Sequence, residues 1–201
     1  MTIAQTTFLL IRHGMTDAVG RFVSGTAPGL HLNDEGRRQV EVLGRRLAAT
    51  PLDAIVSSPL ERTRETADAI ARGRGAAVEI DDRFREVDAG AWTGRTFAEL
   101  DADPDWRRYS RDRSVTRPPG GEPMIDVQRR VVAGLLDWRD RRGQATIAVV
   151  SHGDLIRAAL LYALGMPIDF YDRLEASPAR ISIVQFGGGP PRVLQVNCSE
   201  V

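Results

Sequence analysis

Two apolar segments of this chain end on the same pair of residues, and that repetition restricts the fold more than any other feature. Phe8-Leu9-Leu10-Ile11 runs into Arg12-His13-Gly14, and Ile147-Ala148-Val149-Val150 runs into Ser151-His152-Gly153. Short unbroken apolar runs read as strands buried on both faces, as in parallel sheets covered by helices. In open α/β sheets, ligands bind outside the carboxyl ends of the strands. Both histidines stand at such ends, and neighbouring strands would set the two imidazoles side by side. A lone histidine there is commonly structural; two, one of them joined to an arginine, point to a site. Gly14 is expected to let the backbone turn tightly and a ligand approach the amides that follow.

The rest of the chain alternates between strand and helix patterns. Asn33 reads as a helix cap followed by Asp34 and Glu35, with Val40, Leu43 and Leu47 as the apolar stripe. Residues 54–56 and 77–80 read as strands, and 59–71, 127–138 and 155–164 as helices. Residues 180–186 and 192–196 read as a hairpin at a sheet edge, joined by Gly187-Gly188-Gly189-Pro190-Pro191. The expectation is a three-layer α/β/α fold around a mostly parallel central sheet of about six strands. Residues 1–201 are expected to form one domain with a lid-like insertion at 86–123, a stretch too long for a plain connection. Within it, 105–117 holds too few apolar positions to be core.

Composition excludes several functions. Formal net charge is zero and the pI is near 6.8, so nothing in the charge points to nucleic acid or an anionic membrane as partner. No apolar run approaches a bilayer span. Residues 1–7 show no basic, cleavable leader, and Cys198 is the single cysteine, so a cytoplasmic location is expected. All 27 basic residues are arginine, which removes phosphate-loop and Schiff-base lysine chemistry. No carboxylate–histidine cluster has metal-ligand spacing.

What remains is a concentration of anion-binding groups. Ser57-Ser58-Pro59-Leu60-Glu61-Arg62 leads from a strand into a helix, placing Arg62 where it would face the same crevice as Arg12. Two arginines, two histidines, the Thr16 hydroxyl and the amides of a helix starting near Gly153 would form an anion-selective pocket. Guanidinium forks match phosphate oxygens, and helix N-termini add oriented N–H groups.

These blocks resemble the histidine phosphatase superfamily, with its phosphoglycerate mutase-like fold. Arg12-His13-Gly14 with Thr16, Ser57-Ser58-Pro59-Leu60 with Arg62, Arg85-Glu86 through Gly94, and Val150-Ser151-His152-Gly153 follow in family order. The resemblance implies that His13 is the nucleophile, forming a phosphohistidine, and that Arg12, Arg62 and His152 hold the phosphoryl oxygens. Glu86, in the family's position, would be the acid and then the base; Asp88 competes for that role. No cofactor or metal is implied, and the partner is a small phosphorylated substrate. Val19 stands where the family often has asparagine, so Ser24 or the Gly25 amide would supply the missing phosphate contact. In Gly120-Gly121-Glu122-Pro123, proline replaces the family's serine, and the turn reads as a helix start. The lack of lysine and of basic residues between Val87 and Gly94 favours a phosphatase over a phosphoglycerate mutase. A non-catalytic phosphate-binding module is the remaining alternative. Candidate substrates run from phosphosugars and phosphoglycerates to nucleotide-related monoesters and phosphorylated amino acids. In the insertion, the segment 105–117, with Trp106, Arg107, Arg108, Tyr109, Arg111, Arg113 and Arg117, is expected to reach the substrate beyond its phosphate through aromatic stacking or a second anionic group, with Trp106, Arg107 and Arg111 as the positions to test.

Overall fold

A computed structural model describes residues 5–199. Residues 1–4, part of the stretch read for a leader, lie outside the described residues, as do 200 and 201. One sheet holds β1 (Thr6–Arg12), β2 (Ala54–Ser57), β3 (Val78–Ile80), β4 (Thr146–Ser151), β5 (Ile181–Phe186) and β6 (Arg192–Cys198) in the order β3-β2-β4-β1-β5-β6. The first four of that order run parallel, β5 returns antiparallel to β1, and β6 turns back against β5 as the expected edge hairpin.

Alternation along β1 shows how the layers form. Phe8 and Leu10 face a core that includes α5 (Met124–Arg142) and α6 (Gly153–Ala163). Leu9 and Ile11 face the opposite core, shared with α1 (Asp34–Leu47) and α2 (Glu61–Ala71). Both faces of the strand are therefore covered, which is why its apolar run is unbroken. Each of these fully buried side chains contributes about 1.5–3 kcal/mol.

The helices follow the sequence signals with shifted ends. Asn33 caps α1, its side chain accepting from the Gly36 amide at 2.9 Å. α2 starts at Glu61 rather than Pro59, because Leu60 remains extended. α5 runs beyond its apolar stripe through Arg139, Arg141 and Arg142, cations that suit the negative end of a helix. Among the described residues, no helix is long and apolar enough to cross a membrane.

In the segment 86–123, the expectation that 105–117 holds too few apolar positions to be core gives way at Tyr109, which is buried, and at Trp106, which packs against the core. The segment folds as a one-turn 3-10 helix (Gly90–Trp92), α3 (Phe97–Leu100) and α4 (Pro104–Arg111). Trp92, Leu100 and Tyr109 are buried in the larger core. Trp92 packs edge-on to Trp106 at 5.2 Å between centroids and lies 5.2 Å from Tyr109. A few aromatic rings suffice, because each buries far more area than an aliphatic side chain.

Candidate active site

The pairing of β1 with β4 positions the two histidines. Their register aligns Ile11 with Val150 and Arg12 with Ser151, so the next residues, His13 and His152, leave adjacent strands at one level. The His13 amide still donates to Ser151 O at 3.0 Å, and the two rings meet at 5.3 Å with 62° between their planes. His13 Nδ1 lies 2.7 Å from the Gly14 carbonyl oxygen, an acceptor, which places the ring proton on Nδ1 and leaves Nε2 with a free lone pair. Burial, then the charges of Arg62 and Arg12, hold the His13 pKa well below its ordinary value. At neutral pH His13 is uncharged.

Around it stand donors with nothing to donate to. Arg12 gives Nη1 to Ala176 O at 2.7 Å, and Arg62 gives Nη2 to Gly25 O at 3.0 Å. Four buried side-chain nitrogens, Arg12 Nε, Arg62 Nε and Nη1, and His152 Nδ1, have no hydrogen-bond partner among the described residues. Each such group costs about 1–3 kcal/mol when left unpaired, more for a charged one. Together they call for an anion. His152 is fully buried, with Nε2 2.8 Å from Ser58 Oγ; burial first, then Arg62 and His13, depress its pKa.

Glu86 is the carboxyl that reaches this group. Its Oε2 lies 3.7 Å from His152 Nδ1, and its Oε1 accepts from the Val87 amide at 3.0 Å. Burial, helped by the negative charge of Asp154, pushes its pKa up to about 7. The backbone that carries it is fastened twice. Arg130, from α5, donates to the carbonyls of Arg83 (2.7 Å), Arg85 (2.8 Å) and Glu86 (3.2 Å), and is itself held by Glu122. The Gly120-Gly121-Glu122 turn does the rest: Glu122 N donates to Asp88 O at 2.8 Å and Ala91 N to Pro119 O at 2.9 Å. A Cβ on Gly121 would come within 2.4 Å of Asp88 O, so this contact requires glycine. Glu122 is thus an ion-pair partner as well as a residue before a helix.

A cavity of about 270 Å³ opens on this centre. Arg12, His13, Thr16, Ser24, Gly25 and Glu86 line it, and so does Val19. Arg62 and His152 are buried and contribute no lining surface. Gly14 does not line it either. Its amide donates to Thr66 Oγ1 at 3.1 Å, and an added Cβ would meet Gly36 O and Val40 Cγ1 at 2.8 Å. Close approach of α1, not of a ligand, accounts for that glycine. Gly153 begins α6, and its missing side chain leaves room for the Arg12 guanidinium, which a Cβ would meet at 3.4 Å. Asp88 is turned away into its own loop, accepting from the Gly90 amide at 2.9 Å.

Several residues at the site had no role in the sequence reading. Ser58 and Arg130 touch the site through His152 and Glu86, and Asp154, Arg157 and Tyr171 line the cavity. Arg113, in the segment expected to reach the substrate, lines it too. Ser58 lay within a quoted motif block, and Asp154 directly follows the second His-Gly; either position was a usable signal. Arg107 and Arg111 do not line the cavity. Both are exposed, one bonded to Asp101 O at 3.3 Å and the other to Asp112, while Trp106 does line it. Helix α4 points its aromatic side inward and its arginines to solvent. Among the described residues, no group of three or more His, Cys, Asp or Glu is arranged to hold a metal ion.

Comparison with known proteins agrees with this geometry. The chain is 43% identical over 190 residues to a bifunctional protein of Mycobacterium tuberculosis, a match taking in 90% of this chain and 50% of that protein. It therefore spans about half the length of that relative. It is 31% identical over 193 residues to phosphoserine phosphatase 1 of Hydrogenobacter thermophilus, covering 94% of this chain and 90% of that protein. The solved structure of a mycobacterial glucosyl-3-phosphoglycerate phosphatase superposes with a TM-score of 0.88 at 28% identity, covering 97% of this chain and 100% of that one. The family described as histidine phosphatase superfamily (branch 1) matches residues 8–199, and with its two strand-end histidines at the centre of the site, this chain belongs to that family.

Proposed function

We propose that this chain is a metal-independent phosphomonoester hydrolase that works on a small phosphorylated metabolite through a phosphohistidine on His13. The observation that carries the reading is the set of four unpartnered N–H groups around a neutral His13, with Glu86 held at a pKa of about 7 beside them. A phosphoryl group satisfies those donors. His13 Nε2 attacks phosphorus as the bond to the ester oxygen breaks, and Glu86 delivers its proton to that oxygen. Arg12, Arg62 and His152 stabilise the charge on the non-bridging oxygens. In this reading Ser58 Oγ, 2.8 Å away, donates to Nε2 of His152, and the ring proton is assigned to Nδ1, on the side of Glu86. In the second half, the Glu86 carboxylate takes a proton from water, the hydroxyl attacks phosphorus, the N–P bond breaks and inorganic phosphate leaves.

Thr16, Ser24 and the Gly25 amide are the proposed neutral phosphate contacts, and Gly153 contributes the N-terminal end of α6. Relatives named as phosphatases of phosphoserine and of glucosyl-3-phosphoglycerate support a small phosphorylated metabolite as substrate. Residues 1–201 are proposed to act as one unit, with 86–123 covering the pocket, in the cytoplasm. The test is turnover of a panel of phosphomonoesters with phosphate release measured. Hydrolysis of at least one small ester supports the reading. Phosphate transfer to a phosphoglycerate acceptor without release makes the chain a mutase, and tight phosphate binding with no turnover makes it a binding module.

A further inference from the structure

The guanidinium of Arg12 is held by a loop that lies far along the chain, just before β5. Its Nη1 donates to Ala176 O at 2.7 Å, while its buried Nε has no partner among the described residues. The same loop, residues 176–180, also grips the Arg12 backbone. Arg12 N donates to Arg180 O at 3.2 Å, and Ala179 N donates to the carbonyls of Arg12 and His13 at 3.1 and 3.2 Å. Ala179 makes these bonds at a φ of 54°, a left-handed conformation that alanine rarely adopts. Where this loop lies therefore decides where Arg12 points.

Asn197, near the end of β6, fixes the loop. Its Oδ1 accepts from the Ser177 amide at 2.7 Å and its Nδ2 donates to Ser177 Oγ at 3.2 Å, a two-point grip on the residue next to Ala176. A bulge in β6 makes the reach possible. Ile181 pairs with Cys198 and Ile183 with Gln195, so Ser182 of β5 stands opposite two residues of β6, Val196 and Asn197. Asn197 takes a φ of 55°, and its amide donates to Oγ of the buried Ser182 at 3.1 Å. Bulges bend a strand and re-aim a side chain, and asparagine tolerates left-handed backbone better than most other residues. Here the re-aimed amide meets Ser177.

We propose that Asn197 is a positioning residue for the phosphate-binding arginine: through Ser177 and the Ala176 carbonyl it sets the direction of the Arg12 guanidinium. This rests on the phosphatase reading in taking Arg12 as a phosphate ligand, and it adds the last strand of the sheet to the machinery of the site. Asn197 does not line the cavity, so its effect passes through Arg12 alone. Without its grip Ala176 O is free to shift, and the guanidinium loses the preorganisation that makes it effective on phosphoryl oxygens.

The test measures how tightly the site holds a bare phosphoryl group. Asn197→Gly keeps the left-handed backbone and removes the side chain, whereas Asn197→Asp keeps an acceptor for the Ser177 amide. Asn197→Gly is expected to weaken inorganic phosphate binding, by calorimetry, and orthovanadate inhibition by about 10-fold each, the range for a lost hydrogen bond that orients a charge. kcat/KM should fall alike for glycerol 3-phosphate and p-nitrophenyl phosphate, because both present the same oxygens to Arg12. The pH at which Glu86 loses its proton should not move. Asn197→Asp should recover part of the affinity. A merely structural role would lower Tm and the active fraction, hence kcat, and leave phosphate and vanadate affinity unchanged; that result overturns the proposal. So does a loss confined to the alkyl ester. If no ester turns over in the wild type, the phosphatase reading fails by itself, and phosphate affinity still decides about Asn197. Thermal melts identify a variant that fails to fold, and Asn197→Asp and Ser177→Ala then carry the same measurement.

Discussion

Glu86 Oε2 and His152 Nδ1 stand 3.7 Å apart, too far for a hydrogen bond and close enough for each charge to matter to the other. Elsewhere such a pair would exchange a proton and become carboxylate and imidazolium. Here burial and the positive charge of Arg62 keep His152 neutral, while burial and Asp154 keep the proton on Glu86 up to about pH 7. Two neutral groups face each other across the place where a phosphate ester oxygen would leave. Transfer of the Glu86 proton to a leaving group is thereby favoured over its transfer to the histidine.

The pH profile follows from that arrangement. Above about pH 7 Glu86 loses the proton it must donate, so kcat/KM for an alkyl phosphate should fall on the alkaline side. On the acid side, His13 remains unprotonated well below its ordinary pKa, so the nucleophile itself gives no loss near pH 6. In Glu86→Gln the alkaline limb should disappear together with most of the activity on alkyl esters. For p-nitrophenyl phosphate, whose leaving group needs no proton, the phosphorylation step read by kcat/KM should lose much less, although turnover then stalls at the phosphoenzyme. An alkaline limb that survives in Glu86→Gln would assign the acid elsewhere.

His13→Ala should remove phosphate release while leaving the secondary structure in place, because the ring hydrogen-bonds only to its neighbour Gly14 and belongs to neither large apolar cluster. Acid-labile, base-stable label from a phosphorylated substrate should appear on His13 after rapid quenching. In Glu86→Gln that label should accumulate with an aryl ester, since no base remains to activate water. Label on another residue, or full activity in His13→Ala, contradicts the covalent mechanism.

Arg130 acts on the acid from behind, through three backbone carbonyls. Arg130→Met leaves those carbonyls and Glu122 unpaired in a mostly buried place, at a cost of about 3 kcal/mol in stability. A merely structural role would lower activity on every substrate alike. As a positioning residue for Glu86, Arg130 should instead affect alkyl esters about 10-fold more than p-nitrophenyl phosphate, since only the former need the acid. Its loss should also shift the alkaline limb. Glu122→Gln, which keeps a hydrogen-bond acceptor for Arg130, should show the same pattern more weakly.

The parts of this site that were legible in the sequence are those fixed by neighbouring residues. An apolar run followed by His-Gly states both a buried strand and what stands at its end, and two of them on adjacent parallel strands give the centre. The parts that stayed hidden depend on contacts between distant segments. Nothing near Arg130 announces that its partners are the carbonyls of residues 83, 85 and 86. Arg107, Arg111 and Arg113 look alike in sequence. Only the turn of α4, and the arrival of Tyr171 from a 3-10 segment (Ile168–Arg173) after α6, decide that Arg113 goes inside while the others face water. Gly14 was misread for a related reason: the motif suggests a ligand, whereas the space belongs to Gly36 and Val40 of α1.

That last contact gives a prediction about stability. In Gly14→Ala the new methyl would stand 2.8 Å from both Gly36 O and Val40 Cγ1. Val40 can adjust its side chain, but Gly36 O is backbone in the first turn of α1. That helix must therefore move outward or the loop after β1 must give way. Overpacking of this kind costs about 1–3 kcal/mol. For a chain of this size each kcal/mol lowers Tm by about 2–4 °C. Because the Gly14 carbonyl orients His13 through Nδ1, a shifted loop should lower kcat as well, with the loss appearing on every ester regardless of leaving group. Gly153→Ala is the contrasting case: its methyl would sit 3.4 Å from the Arg12 guanidinium, a flexible side-chain end, so Tm should change little. Equal Tm for wild type and Gly14→Ala would return Gly14 to the role of a glycine kept for ligand approach.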